Sequence, residues 1–172
     1  VVAPHVPIVV ASVPSVDAKE SGLDGVFWVN AEYNFSKTLE LAQQLQPNAR
    51  NLVVVGGASS YDQRWLNDAR RELQPYGERY TMKFIVGRSY EDTLKEVSQL
   101  SKDTIVIMSF FFVDGRGETY SSRKVAADVA IASPAPVYSP ISTNLGQGIV
   151  GGYMDSWEEH GIAAADVALQ IL

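Results

Sequence analysis

The chain has 172 residues, of which 46% are hydrophobic and 20% charged, with a formal net charge of −6. That length supports one domain with a substantial core, and an acidic chain without a basic tract lacks the electrostatic footprint of a nucleic-acid binder. There is no cysteine, which excludes disulfides, thiolate catalysis and cysteine-ligated metal and fits either cytoplasm or periplasm. The two histidines, His5 and His160, are far apart in sequence, which argues against a histidine-built metal site. No apolar stretch approaches the ~20 residues that span a bilayer.

The chain opens inside an apolar segment, VVAPHVPIVVASV, and ends inside a helical pattern at Ile171-Leu172, so it reads as a fragment or an excised module. Residues 6–13 suit a strand. Residues 13–25 read as a loop-rich linker, and 32–46 (EYNFSKTLELAQQLQ) as a helix stopped by Pro47. The run NLVVVGG at 51–57 is short and continuously apolar, the mark of a strand buried on both faces.

Trp65, Leu66, Ala69 and Leu73 recur at helical spacing through 59–76, with Ser59 or Ser60 as N-cap. A strand follows at 80–86. An amphipathic helix at 90–100 carries Leu94, Val97 and Leu100 on one face and Ser89 as cap. Residues 104–112 predict the next strand, 121–132 a helix, and 136–141 a short strand. Residues 149–154 admit a fifth strand, and 157–172 form a closing helix rich in alanine. This alternation from about residue 50 onward predicts an α/β fold, a Rossmann-like doubly wound parallel sheet with right-handed crossovers.

In such sheets ligands sit at the carboxyl ends of the strands. The first of these ends carries Gly56-Gly57-Ala58-Ser59-Ser60. Glycines admit close backbone approach, and the following helix offers free N–H groups. The pattern is neither GxGxxG nor a P-loop, so no nucleotide is implied. A tight turn with a serine cap explains it equally well.

After the third strand come Phe110-Phe111-Phe112-Val113-Asp114 and then Gly-Arg-Gly. If the strand pleat continues, Phe110 and Phe112 point one way and Phe111 the other. Aromatics beside a polar loop suit a small, partly apolar ligand, although Asp114 and Arg116 are as readily explained as a surface pair. After the fourth strand, residues 142–148 (STNLGQG) are polar and uncharged. Asp155 and Ser156 precede the last helix, where capping accounts for them. G-x-S-x-G is absent, no histidine belongs to the serine-rich rim, and Glu158 and Glu159 are adjacent helical residues that point apart. No catalytic constellation, cofactor or metal set emerges, and the inventory is one for binding.

Four stretches carry a family resemblance: TLELAQQLQPNARNLVVVGGASS, LKEVSQLSKDTIVIMSFFF, SPAPVYSPISTNLGQGIVGGYMDSWEEHG and AAADVALQIL. In order and spacing they resemble the type I periplasmic binding proteins. Within these, they resemble the ABC-transporter substrate-binding proteins that include tryptophan- and tyrosine-binding members, over about residues 4–172. The stretches GGASSYDQRW and SFFFVDGRG are closer to extracytoplasmic sensing regions of membrane histidine kinases.

The resemblance implies two lobes that close on a ligand. Residues 1–36 would be the end of the first lobe and the crossing segment, and 37–172 the second, C-terminal lobe, with the rest of the first lobe missing. It implies a non-enzymatic module on the periplasmic or extracytoplasmic face of a bacterial membrane, anchored through its parent. Its ligand would be a small organic molecule, bound at Ser59, Ser60, Phe111, Phe112, Asp114, Thr143, Asn144 and Asp155. The phenylalanines are a departure, because transport members place small polar residues there. A cleft face left open would favour homodimer formation. A transporter-delivery protein and an α/β enzyme are the alternative readings.

Overall fold

The computed structural model describes residues 6–14, 23–154 and 156–171. Residues 33–154 form one compact unit, and the chain on either side forms a second.

The larger unit is a four-stranded parallel sheet with order β4-β3-β5-β6. Its elements in chain order are α1 (Phe35–Leu45), β3 (Asn51–Val55), α2 (Ser60–Leu73), β4 (Thr81–Ile85), α3 (Tyr90–Ser98), β5 (Thr104–Met108), α4 (Ser122–Ala132) and β6 (Val137–Tyr138). The strands β1 (Ile8–Pro14) and β2 (Val26–Ala31) precede them, and the helix α5 (Trp157–Ile171) follows. Three of the four α-helices of the larger unit, α1, α2 and α3, begin where the sequence supplies a side-chain cap. The side chains of Asn34, Ser59 and Ser89 accept from Lys37, Asp62 and Asp92 N–H groups.

All five residues of β5 are buried, as a central strand covered on both faces requires. Val53, Val55, Val106 and Met108 belong to a core cluster with Val97 of α3 and Val125 and Val129 of α4. The alternate residues Leu52, Val54, Ile105 and Ile107 are also buried. The strand pleat turns them to the other face, where α1 packs on α2 and β5. The expected doubly wound arrangement is therefore present.

Strand boundaries differ from the sequence reading in four places. β5 stops at Met108 rather than Phe112. Its partner β3 ends at Val55, and past that point the chain has no neighbouring strand. Ser109 N–H still donates to Val55 O, but Phe110 O accepts from Gly57 in the turn, and Phe112 N–H turns to a side chain. β6 shrinks to two residues, and 149–154 contributes a single bridge, Gly151 to Tyr138, instead of a fifth strand. β2 lies inside the segment read as a crossing. It pairs in parallel with β1, Ile8 opposite Val26.

In the smaller unit, α5 packs against β1 and β2. The closing helix therefore shares a compact unit with the chain's beginning. The register of β1 slips between Ala11 and Val13, and Ser12 sits at φ 61° in that bulge. Ser12 Oγ lies 2.7 Å from Nδ1 of the buried His160, one turn into α5. This bond fixes the helix start to the bulge. His5 and most of the predicted linker, residues 15–22, lie outside the described residues.

Candidate functional site

The loops that leave β3, β4 and β5 at their carboxyl ends are tied together by two buried aspartates. Asp62, in the first turn of α2, is fully buried. Its carboxylate accepts from Ser59 N–H at 3.0 Å, while Ser59 Oγ accepts from Asp62 N–H at 3.1 Å, a reciprocal capping box. The same carboxylate reaches across the sheet edge. It accepts from Phe112 N–H at 3.1 and 3.2 Å and from Val113 N–H at 3.3 Å. Ala58 N–H donates to Val113 O at 2.7 Å, closing the contact. Gly57 makes room for it, since a Cβ there would lie 2.3 Å from Asp62 Oδ2.

Asp114 does the same for the loops after β4 and β5. It accepts from Tyr90 N–H at 3.0 Å at the start of α3, and from Arg116 and Glu118 N–H at 2.8 and 3.0 Å within its own loop. Gly115 N–H donates to Arg88 O at 2.7 Å, and a Cβ on Gly115 would lie 2.3 Å from Gly87 O. Burial disfavours the Asp114 charge, but the amide bonds from Tyr90, Glu118 and Arg116 outweigh it and hold the carboxyl below its ordinary range. A depressed folded-state pKa stabilises the fold above the unfolded value and ceases to do so as pH falls through the folded one. The urea midpoint of the wild type should therefore exceed that of Asp114→Asn at pH 7, and the gap should close below about pH 4. An equal gap at pH 3 and pH 7 would contradict this.

The predicted site residues divide sharply. Ser59, Asp114 and Asn144 are structural in this state. Ser59 caps α2, Asp114 is saturated by backbone donors, and the buried Asn144 donates through Nδ2 to Ser139 Oγ at 3.0 Å. Phe111 is 1% exposed and belongs to the core cluster with Val125 and Ile149, so its ring does not reach the surface. Ser60, Phe112 and Thr143 are exposed at the carboxyl edge. Asp155 lies outside the described residues. The suggested Asp114–Arg116 ion pair does not form. The Arg116 guanidinium faces Glu91 at 3.5 Å, and only its backbone N–H serves Asp114.

Tyr33 and Tyr61, which the sequence reading did not single out, complete the edge. Tyr33, Tyr61, Trp65, Phe110 and Phe112 form one aromatic group with ring centroids 4.6 to 6.2 Å apart. The S-x-x-D spacing of Ser59 and Asp62 was a readable capping-box signal. Its long-range half, to Phe112, had no local signature. Among the described residues no group of acidic or histidine side chains could hold a metal ion.

No protein-family model matches the sequence, and no curated protein does. A solved structure does: the ABC domain in complex with L-Trp from Streptococcus pneumoniae, at 14% identity and a TM-score of 0.67. The chain has the fold of a binding-protein lobe. The match covers 98% of this chain but 59% of that one, so the chain spans little more than half the neighbour's length.

Proposed function

We propose that the chain is a non-enzymatic, small-ligand-binding module whose site is the carboxyl edge of the four-stranded sheet. The observation that carries this reading is the pair of buried aspartates. They lock three strand-end loops into one rigid rim and leave Ser60 and Phe112 open on it, while Thr143 is exposed on the loop after β6. A rim of this kind can orient a bound molecule through hydroxyl and ring contacts. The binding-protein fold, shared with a neighbour that was solved with L-Trp, supports the same reading.

In the parent protein the module would be the second lobe of a two-lobed sensor. It would sit on the extracytoplasmic face of a bacterial membrane, and closure on ligand would bias the output of a histidine kinase. The resemblance of GGASSYDQRW and SFFFVDGRG to kinase-linked sequences supports the sensor over a transporter-delivery protein. None of the helices among the described residues is long and apolar enough to cross a membrane.

The test is a thermal-shift screen with amino acids, aromatic acids, purines and sugars. It is run on the 172-residue chain and on the longer polypeptide encoded around it. A rise confined to one chemical class in the longer protein is the expected result. A well-folded longer protein whose melting point moves with none of them would remove the ligand-binding reading.

A further inference from the structure

Phe112 is held in a way that packing alone does not require. Its ring is 37% exposed, yet its N–H is gripped by both oxygens of a fully buried carboxylate. The backbone that presents this ring is therefore fixed in a loop, outside any helix or strand. Here the ring's neighbours are fixed as well. Phe110 lies against Phe112 in a stacked pair, with centroids 5.6 Å apart and planes at 16°. Tyr61 stands edge-on to Phe112 at 5.7 Å and 62°. Behind them, Tyr33 and Trp65 hold Phe110 at 5.1 and 6.1 Å.

The surroundings narrow the chemistry. Asp62, the ionisable group touching this segment, has its oxygens turned to the backbone amides of Ser59, Phe112 and Val113. The neighbouring Ser59 and Ser60 contribute hydroxyls and Tyr61 a phenol ring. The buried Trp65 Nε1, within the same aromatic group, has no acceptor. A rigid, uncharged ring presented beside a second ring is suited to face or edge contact with another π-system. Because it is already ordered, little entropy is lost when a ligand lands on it.

We propose that Phe112 and Tyr61 form a preorganised stacking platform that selects small molecules carrying an uncharged planar aromatic ring. The proposal rests on the ligand-binding reading above and names the ligand class of that same site.

The test uses Trp65 as reporter, with Trp28→Phe and Trp157→Phe removing the other two tryptophans. The chain is titrated with benzamide, adenine and the saturated analogue cyclohexanecarboxamide. Saturable changes in Trp65 emission with the two planar probes, and none with the saturated one at equal concentration, are expected. Phe112→Leu, which keeps apolar bulk but not the ring, should weaken the planar probes about tenfold. Phe112→Tyr should restore them, with melting points unchanged in both variants.

Equal responses to benzamide and cyclohexanecarboxamide, or a Leu variant that binds like the wild type, would overturn the platform. So would a Leu variant whose only change is in sedimentation, since the ring would then face a second copy. A thermal rise with a non-aromatic compound, and silence from every planar probe, would leave the ligand-binding reading standing and remove this proposal. Silence throughout would remove both.

Discussion

Replacing Asp62 with alanine should lower folding stability by about 3 to 5 kcal/mol. The carboxylate accepts from Ser59, Phe112 and Val113 N–H groups and is fully buried. Deleting it strands those donors where water has poor access, so the cost is the desolvation of amides as well as the lost bonds. It also removes a negative charge from the N-terminus of α2, where the helix dipole favours one. Urea unfolding measures the loss. Amide exchange at Phe112 and Val113 should accelerate more than exchange in α4, because the loop loses its tether. Asp62→Asn, which keeps one acceptor oxygen, should fall between the two. A loss under 1 kcal/mol for the alanine variant, or unchanged exchange at Phe112, would show that the loop is held by something else.

The second large effect separates two adjacent phenylalanines. Phe111→Ala should cost about 3 to 5 kcal/mol, the usual price of emptying a fully buried aromatic site. Its ring is enclosed on the α3/α4 face of the sheet, with Tyr120 edge-on at 6.0 Å. Phe112→Ala removes a ring that already meets solvent and should cost only about 1 kcal/mol, while ligand affinity falls far more than stability does. Paired urea titrations and binding isotherms on the two variants check this. Similar stability losses in both would make Phe112 ordinary core.

This contrast also marks how far the sequence could be read. Period-two alternation placed Phe110 and Phe112 on one side and Phe111 on the other. The structure agrees, with Phe110 stacked on Phe112 and Phe111 in the opposite core cluster. What failed was the strand's length. An apolar run describes burial, not pairing, and β5 cannot continue past the point where β3 turns into Gly56-Gly57. The caps of α1, α2 and α3 depend on residues within a few positions, so Ser59 and Ser89 were legible.

The second role of Asp62 depends on Phe112, fifty residues away, and no local pattern encodes a contact at that separation. Asp114 was read as a rim residue because it follows a strand in a polar loop. Its carboxylate proved to be spoken for by the start of α3, again across a long separation. The strand β2 was hidden for another reason. Val26–Ala31 is apolar enough for a strand, but its half-exposed faces and the absorbing analogy of a crossing segment masked it.

The division of the chain into a continuous unit, 33–154, and a unit assembled from both ends has a consequence for biosynthesis. The continuous unit has all its strands and helices once residue 154 has left the ribosome, and domains generally fold as units during synthesis. The other unit cannot form then. Its two-stranded sheet is too small to persist alone, and the helix that packs on it, α5, is translated more than a hundred residues after β2. Vectorial synthesis therefore builds the aspartate-locked rim first. It leaves β1 and β2 without the helix that packs on them for more than a hundred residues of elongation. Truncation just before Trp157 should therefore yield a protein that aggregates through β1 and β2 while its four-stranded sheet is intact.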